Sequence, residues 1–223
     1  MPLFRVDPQK PFKGPHQNQP IFTAGTDVRS AQMAMILIHG RGASAQSMLR
    51  LSEEFEREDI HYRALRAEGN TWYPRSFMAP LDMNEPGISS GIQAIYDCIG
   101  DLNQAGITTD HMILLGFSQG ACLATEFAAR HPRRYGGIVG FSGGLIGEMV
   151  DPGNYEGSLD ETPVFLGCSD NDPHIPEERV ETTALVFRTL TADVTKRIYQ
   201  GMGHTVNQDE LRFVSNLINQ LSD

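Results

Sequence analysis

Two short segments of the chain carry a serine between glycines in the pattern Gly-x-Ser-x-Gly. The segments read GFSQG at residues 116–120 and GFSGG at residues 140–144. In many serine hydrolases this pattern places a nucleophilic serine on a sharp strand-to-helix turn, where the glycines let the strand and the helix approach closely. A hydroxyl attacks a carbonyl only when its neighbours activate it, so the flanking sequence decides between Ser118 and Ser142.

The flanking sequence favours Ser118 as the nucleophile. The run HMILL before it predicts a strand, and ACLATEFAAR after it contains the Ala, Leu and Glu residues that favour a helix. The N-terminus of that helix would present free N–H groups to a developing oxyanion. After GFSGG the chain reads GLIGEMVDPGNYEG, whose glycines and proline prevent a prompt helix. We therefore expect Ser142 to end the next strand at the same edge of the sheet, where loops line the cleft. The alternative for Ser118 is a buried serine at a strand end.

A nucleophilic serine needs a base, and the base needs a carboxylate that orients it. In α/β-hydrolases these groups follow in the order Ser, Asp or Glu, and His, each after a strand. His204 lies beside two glycines between a predicted strand and the last predicted helix, and it is the expected base; the alternative is an exposed loop histidine. Asp170 and Asp172 share the preceding loop. Asp172 is favoured because the proline that follows it restricts its backbone, and Asp170 stays as the alternative.

Two backbone N–H groups are expected to bind the oxyanion that forms on the substrate carbonyl. Gln119 directly follows the nucleophile and should supply one of them. The segment HGRG at 39–42 follows an apolar run, as the glycine-rich oxyanion loops of lipases do, and Arg41 should supply the other. Each such donor contributes about 3 kcal/mol to transition-state binding. The alternative is that HGRG forms an ordinary glycine turn.

Alternating strands and helices must position these residues. The predicted strands lie at 21–25, 33–38, 61–65, 111–117, 136–142, 163–168 and 195–200. The predicted helices lie at 45–58, 89–105, 119–130, 177–190 and 207–221. This alternation predicts an α/β fold whose mostly parallel sheet carries helices on both faces. Residues 69–87 form a long loop rich in Pro, Gly and Asn, and loops of this length are usually functional.

The composition predicts an N-terminal arm over residues 1–20 and one domain over residues 21–223. The arm is rich in proline and has little apolar periodicity, so it either lies on the domain or is partly disordered. The net charge of −10 argues against a nucleic-acid partner and, more weakly, against anionic membranes. Solubility alone also explains such a charge.

Cysteine usage and hydropathy favour a cytoplasmic protein without a stable membrane anchor. The three cysteines, Cys98, Cys122 and Cys168, are widely spaced in apolar stretches, as buried reduced thiols are. The sequence contains no C-x-x-C or His-rich cluster to suggest a metal. The first residues lack the apolar core of a secretory signal, and no run approaches the roughly 18 apolar residues of a membrane span.

Five ordered motifs together resemble the phospholipase/carboxylesterase family of small α/β-hydrolases, which includes bacterial carboxylesterases and acyl-protein thioesterases. From about residue 35 to the C-terminus they read HGRGAS, WYPRSFMAPLDMNEPGI, GFSQGA, SDNDPHIP and GMGHTV. The resemblance implies a single-domain α/β-hydrolase with no large cap domain and no cofactor. It also implies the triad Ser118, Asp172 and His204 and the oxyanion donors Arg41 and Gln119.

The resemblance also has consequences for the substrate pocket. The oxyanion loop of the thioesterases usually reads H-G-L-G-D, whereas Arg41 replaces the leucine here and Ala43 the aspartate, so we expect a different acyl pocket near them. In this family the loop after the second strand lies over the acyl site. The expected substrate contacts are Trp72, Tyr73, Phe77, Met78, Leu145 and Ile146. The alternative for the aromatic residues is that they pack the loop onto the domain.

Together these features predict a serine esterase that hydrolyses small carboxylic esters of short or medium acyl length through an acyl-enzyme on Ser118. The expected partner is a small-molecule ester or thioester, and resemblance to dimeric family members adds a homodimer as an expectation. An acyl-thioesterase or lysophospholipase of the same mechanism is the alternative. An inactive hydrolase-fold binding protein is a distant alternative.

Overall fold

The computed structural model describes residues 3–55 and 57–221, and these residues form one sheet flanked by helices. The strands are β1 Phe22–Gly25, β2 Met33–Ile38, β3 Ile60–Leu65, β4 Met112–Phe117, β5 Gly137–Phe141, β6 Pro163–Ser169 and β7 Asp193–Tyr199. The helices are α1 Ala45–Leu49, α2 Gly87–Gln104, α3 Gln119–Arg130, α4 Glu177–Thr189 and α5 Gln208–Gln220.

The seven described strands run in the order β1-β3-β2-β4-β5-β6-β7. Edge strand β1 pairs antiparallel with β3, and every other neighbouring pair is parallel. All six residues of β2 are buried, as expected for a central parallel strand covered on both faces. The predicted α/β class and mostly parallel sheet are confirmed.

The core lies in two layers, one on each face of the sheet. Successive side chains of a strand point to opposite faces, and β2 divides accordingly. Ile36 packs on the face that is covered by α2, α3 and α4. Met35 packs on the opposite face, which is covered by α1 and α5. The helices therefore bury the sheet from both sides and leave the carboxyl ends of the parallel strands to carry the loops that contain the candidate site.

Most predicted elements agree with the structure to within two residues at each end. One helix is shorter than predicted: α1 ends at Leu49, and a 3₁₀ turn over Arg50–Glu54 follows it. The hydroxyl of Ser52 donates to the carbonyl oxygen of Leu49 at 2.7 Å. Such a bond back to the main chain offers the segment an alternative to further α-helix, which the apolar spacing alone does not reveal.

The described part of the N-terminal arm lies on the domain. The backbone N–H of His16 donates to Ser90 Oγ on α2 at 2.8 Å, and His16 is almost fully buried. Nearer the N-terminus, the backbone N–H of Phe12 donates to Gln93 Oε1, and the backbone N–H of Val6 donates to His131 Nε2. Residues 1 and 2 lie outside the described residues, and the boundary at residue 20 stays a prediction.

Two glycines of the GFSQG segment make room for a close crossing of β4, α3 and the end of β2. A Cβ atom at Gly120 would overlap the carbonyl oxygen of Ile38, and one at Gly116 would overlap the backbone of Gly120. The neighbouring atoms are backbone, so a side chain could fit only if whole elements moved apart. This explains in physical terms why both positions of the motif carry glycine.

We expect Gly120→Ala to lower the free energy of unfolding by about 1–3 kcal/mol, because an added methyl group overpacks this crossing. Gly100→Ala is the matched control. A Cβ at Gly100 in α2 meets no atom within 4 Å, so the better helix propensity of alanine should raise stability by about 0.5–1 kcal/mol. Urea unfolding measures both variants. Equal stability of the two would contradict the assigned packing at Gly120.

Candidate active site

Ser118 stands on the turn between β4 and α3 in a strained backbone conformation. Its φ is 55° and its ψ is −120°, a region that residues with a Cβ rarely adopt. The Ser118 N–H donates to the carbonyl oxygen of Phe141 at 2.9 Å, which ties the turn to β5. The hydroxyl makes no capping bond to α3, so it is available to a different partner.

That partner is His204, which belongs to the loop between β7 and α5. His204 Nε2 lies 2.8 Å from Ser118 Oγ, and His204 Nδ1 lies 2.7 Å from Asp172 Oδ2. Because the carboxylate can only accept, Nδ1 carries the proton and Nε2 is left to accept the serine proton. Three residues that the sequence singled out therefore form one chain of hydrogen bonds.

Asp172 is held as an anion beneath the histidine. Burial of its side chain opposes ionisation, but hydrogen bonds from His204 and from two backbone N–H groups outweigh that effect and hold its pKa below the usual range. The N–H donors are His174, at 2.9 Å from Oδ1, and Ile175, at 3.1 Å. These bonds fix the orientation of the carboxylate as well as its charge.

Asp170, the competing carboxylate, has a different role. Its Oδ1 accepts the N–H of Gly201 at 2.9 Å, and its own N–H donates to Tyr199 O at 3.0 Å. Nearby, the N–H of Gly203 donates to Ser169 Oγ. These bonds join the loop after β6 to the loop after β7, and they hold the segment that carries His204.

The two expected oxyanion donors lie close to Ser118. Gln119 is the first residue of α3, and its N–H has no intrahelical acceptor. The loop after β2 passes beside the serine, since a Cβ at Gly40 would lie 3.3 Å from Ser118 Cβ. Among the described residues, the N–H of Arg41 in this loop donates to no acceptor. Both N–H groups are therefore free to bind a ligand.

The side chain of Gln119 fastens the long loop over residues 69–87 to the serine turn. Its Oε1 accepts the N–H of Trp72 at 2.8 Å, and its Nε2 donates to the carbonyl oxygen of Tyr73 at 2.8 Å. Gln119 is nearly fully buried, so these bonds are shielded from water. The sequence pattern does not predict this contact, because the motif assigns a role only to the backbone N–H of residue 119.

His39 plays a supporting part that the sequence did not reveal. Its Nδ1 donates to Gly40 O at 2.8 Å, and its Nε2 accepts the N–H of Ala67 at 3.1 Å. Burial lowers the pKa of His39, which favours the neutral ring that these two bonds require. The carbonyl oxygen of His39 accepts the indole N–H of Trp72 at 2.9 Å. His39 thus joins the candidate oxyanion loop to the long loop.

The guanidinium of Arg41 fixes the outer part of the long loop. Its Nη1 donates to Pro74 O at 3.0 Å, and its Nη2 donates to Arg75 O at 2.5 Å. It also lies 6.0 Å from the ring centroid of Tyr73. The replacement of the usual leucine by Arg41 therefore adds two hydrogen bonds that hold one wall of the site.

A cavity of about 480 Å³ opens beside Ser118. It is lined by Gly40, Arg41, Ala43, Tyr73, Pro74, Arg75, Ser76, Phe77, Phe117, Ser118, Gln119, Cys122, His174, Ile175 and His204. Tyr73 and Phe77 are the two expected substrate contacts that lie on this wall. The aromatic and aliphatic part of the lining suits an acyl group, while the serine and the two free N–H groups stand at one end.

The other four expected substrate contacts do not line this cavity. Trp72 is fully buried beneath it, between the rings of His16 and His39. Met78 lies on the exposed surface of the long loop.

Leu145 and Ile146 are the remaining two, and they are buried on the far side of the loop that follows β5. The N–H of Ile146 donates to the carboxylate of Glu126 at 2.7 Å, and Arg179 donates to the carbonyl oxygen of Leu145 at 2.8 Å. These two bonds turn the loop away from the cavity. Ile146 lines a separate hollow beside Tyr155 instead.

Ser142 directly follows β5, one residue beyond the observed end of the strand that was predicted to include it, and it does not line the cavity. It is fully buried, its φ is 51°, and its N–H donates to Gly167 O at 2.7 Å. Its hydroxyl lies beside the thiol of Cys168, and among the described residues no histidine contacts it. It therefore shares the strained backbone of Ser118 but has no base.

The cysteines and the polar clusters offer no second centre in the part of the chain that the structure describes. Cys98, Cys122 and Cys168 are free and buried, and burial raises the pKa of each thiol to about 12. Among the described residues no group of three His, Cys, Asp or Glu side chains could hold a metal. No described helix is both long and apolar enough to cross a membrane.

The mostly parallel sheet with helices on both faces is the fold of an α/β-hydrolase. The site also fits this class, because a serine on a strained turn contacts a histidine that is paired with an aspartate. Comparison with known sequences agrees. The profile of the phospholipase/carboxylesterase family matches residues 25–222, so the chain belongs to that family of hydrolases. The resemblance that the five motifs suggested is confirmed.

Individual relatives agree with this assignment. A phospholipase/carboxylesterase from Dyadobacter fermentans is 37% identical with a TM-score of 0.88, over 93% of this chain and 99% of that one. Acyl-protein thioesterase 1 of Kluyveromyces lactis is 27% identical over 82% of this chain and 89% of its own length. Acyl-protein thioesterase 1 of Gibberella zeae is 30% identical over 56% of this chain, and the match spans only 54% of that relative.

We expect Gln119→Ala to loosen the long loop, because it leaves the N–H of Trp72 and the carbonyl of Tyr73 without partners. Each unpaired buried group costs roughly 1–3 kcal/mol. Trp72 is the only tryptophan of the chain, so its fluorescence should shift to longer wavelength as water reaches it. Urea unfolding and emission spectra measure the two effects.

Gln46→Ala, on the exposed surface of α1, is the matched control for this change and should alter neither quantity. An unchanged emission spectrum and unchanged stability in Gln119→Ala would show that the Gln119 side chain does not hold the loop.

Proposed function

We propose that this protein is a serine esterase that hydrolyses small carboxylic esters through an acyl-enzyme on Ser118. The observation that carries the proposal is the chain of hydrogen bonds from Ser118 Oγ through the ring of His204 to the buried carboxylate of Asp172. Family membership supports the reaction class, since the matched family is that of phospholipases and carboxylesterases.

In the proposed first half-reaction, Ser118 Oγ attacks the ester carbonyl while His204 Nε2 takes the hydroxyl proton. The carbonyl oxygen becomes an oxyanion that accepts the N–H groups of Arg41 and Gln119, and these donors cost no reorganisation because both are already fixed. The intermediate collapses when His204 returns the proton to the leaving alcohol. The acyl group is then bound to Ser118.

In the second half-reaction, a water molecule replaces the alcohol. His204 takes a proton from the water, the resulting hydroxide adds to the acyl carbonyl, and Ser118 leaves with the proton that His204 returns. Asp172 holds the ring in the tautomer that leaves Nε2 open, and its negative charge stabilises the imidazolium that forms in each half-reaction. The products are a carboxylic acid and an alcohol.

The cavity supports a preference for short or medium acyl groups. A volume of about 480 Å³ accommodates a small ester together with its leaving group. Hydrolysis of acyl thioesters is the second candidate function, because two of the relatives are named acyl-protein thioesterase 1. The same nucleophile and donors would serve both reactions. A cytoplasmic location belongs to this proposal and is supported by the three free thiols.

We expect a fluorophosphonate probe to label Ser118 alone, because among the described residues only this serine has a histidine ring nitrogen within hydrogen-bond distance of its hydroxyl. Ser118→Ala should not be labelled, and its kcat should be about a million-fold lower than that of the wild type. Ser142→Ala is the matched control within the same motif, and it should keep both labelling and turnover. Peptide mapping by mass spectrometry and ester hydrolysis measure the two outcomes. Labelling of Ser142 in folded wild-type protein would overturn the proposed site.

A second pair of variants distinguishes the two carboxylates. Asp172→Asn should lower kcat roughly ten-thousand-fold, because an amide at this place no longer stabilises the imidazolium and favours the wrong tautomer. Asp170→Asn keeps an acceptor for the N–H of Gly201 and should lower kcat by no more than about tenfold, the size of one weakened neutral hydrogen bond. Steady-state hydrolysis of a short ester measures both. A larger loss of kcat in Asp170→Asn than in Asp172→Asn would show that Asp170, and not Asp172, is the carboxylate on which His204 depends.

A further inference from the structure

The cavity beside Ser118 carries positive charge and no negative charge. Among the described residues that line it, the ionisable side chains are Arg41, Arg75, His174, His204, Tyr73 and Cys122, and none is Asp or Glu. Burial raises the pKa of both the tyrosine and the cysteine and keeps them neutral. The chain as a whole has a net charge of −10. The excess of positive charge in the cavity is therefore local and opposite in sign to the rest of the molecule.

The carboxylate of Asp172, which contacts the cavity residue His204, does not pair with these arginines. The side chain of Asp172 is fully buried behind His204. Its oxygens are occupied by His204 and by the N–H groups of His174 and Ile175. The low-dielectric walls of a cleft concentrate the field of uncompensated charges, so an anion that enters this cavity is attracted although the outer surface repels it.

Arg75 is the residue best placed to bind such an anion. Its N–H donates to the buried Asn84 Oδ1 at 2.8 Å, and its carbonyl oxygen accepts Nη2 of Arg41 at 2.5 Å. Its backbone is thus fixed on both sides, while the residue itself is exposed on the cavity wall. Among the described residues its guanidinium forms no ion pair and no hydrogen bond. A guanidinium presents paired N–H donors that match the two oxygens of a carboxylate.

Resting on the serine esterase function proposed above, we propose that the cavity selects esters that carry a second, ionised carboxylate, which binds Arg75. Arg41 adds positive potential and holds the Arg75 backbone, while Tyr73 and Phe77 contact the methylene groups between the two carbonyl carbons. Water adds across the acyl–oxygen bond as in the neutral case. The products are an alcohol and a dicarboxylate, and one proton is released to solvent.

The test compares two esters that differ only in the distal group. Monomethyl glutarate ends in a carboxylate, and methyl pentanoate ends in a methyl group at the same position. We expect wild-type kcat/KM to be roughly tenfold higher for monomethyl glutarate, the effect of one charge-assisted hydrogen bond in a partly exposed site. Arg75→Gln should remove most of this ratio, and added sodium chloride should reduce it in the wild type.

Arg188→Gln is the matched control, because Arg188 is exposed on α4 and does not line the cavity. It should leave the ratio of the two kcat/KM values unchanged. Equal wild-type kcat/KM values for methyl pentanoate and monomethyl glutarate would overturn the inference and leave the proposed serine esterase function intact. An equal ratio in wild type and Arg75→Gln would overturn it too.

Binding of glutarate gives a readout that does not depend on turnover. In Ser118→Ala protein, isothermal titration should detect glutarate, and adding Arg75→Gln should weaken its binding roughly tenfold, whereas adding Arg188→Gln should not. Binding that is absent or independent of Arg75 would overturn the inference. Failure of the proposed function is recognised separately, by folded wild-type protein that neither hydrolyses methyl pentanoate nor reacts with the fluorophosphonate probe at Ser118.

Discussion

A Cβ atom has no room at residue 120, and this lack of space determines where the serine stands. The backbone of α3 approaches the carbonyl of Ile38 so closely that only glycine fits at Gly120. The chain must therefore turn sharply at Ser118, which accepts a positive φ and carries its hydroxyl to the carboxyl edge of the sheet. Packing of the surrounding core holds that strain, and the N-terminus of α3 then lies beside the place where an oxyanion would form.

The loops around this turn are held chiefly by hydrogen bonds between side chains and the backbone. Gln119 joins the long loop to the serine turn, His39 joins it to the loop after β2, and Arg41 fixes its outer part. The N-terminal arm contributes as well, because His16 Nε2 lies 2.8 Å from the carbonyl oxygen of Trp72. Several of these bonds are buried and shielded from water, so they stabilise a site that is made largely of loops.

The sequence predicted the order of elements well, because apolar periodicity follows from burial on one face or on both. It also named the three groups of the hydrogen-bonded chain, since each follows a strand and parallel strands end at one edge. It did not predict the contacts of Gln119, His39 or His16, which join residues far apart in the chain through their side chains. It did not predict that Leu145 and Ile146 lie away from the cavity, because a strand end fixes the edge of the sheet but not the direction of the loop after it.

The comparison of Ser118 with Ser142 shows how much the motif alone leaves undecided. Both serines have a φ near 50°, and each lies directly after a buried parallel strand. Only Ser118 begins a helix, and only Ser118 contacts a histidine, which lies 86 residues farther along the chain. A strained backbone exposes a serine only where the next element leaves space in front of it. The loop after β5 instead packs against Glu126 and Arg179 and buries Ser142. Whether the serine of a Gly-x-Ser-x-Gly turn can act as a nucleophile thus depends on the element that follows the turn and on the distant loop that brings a histidine to the serine.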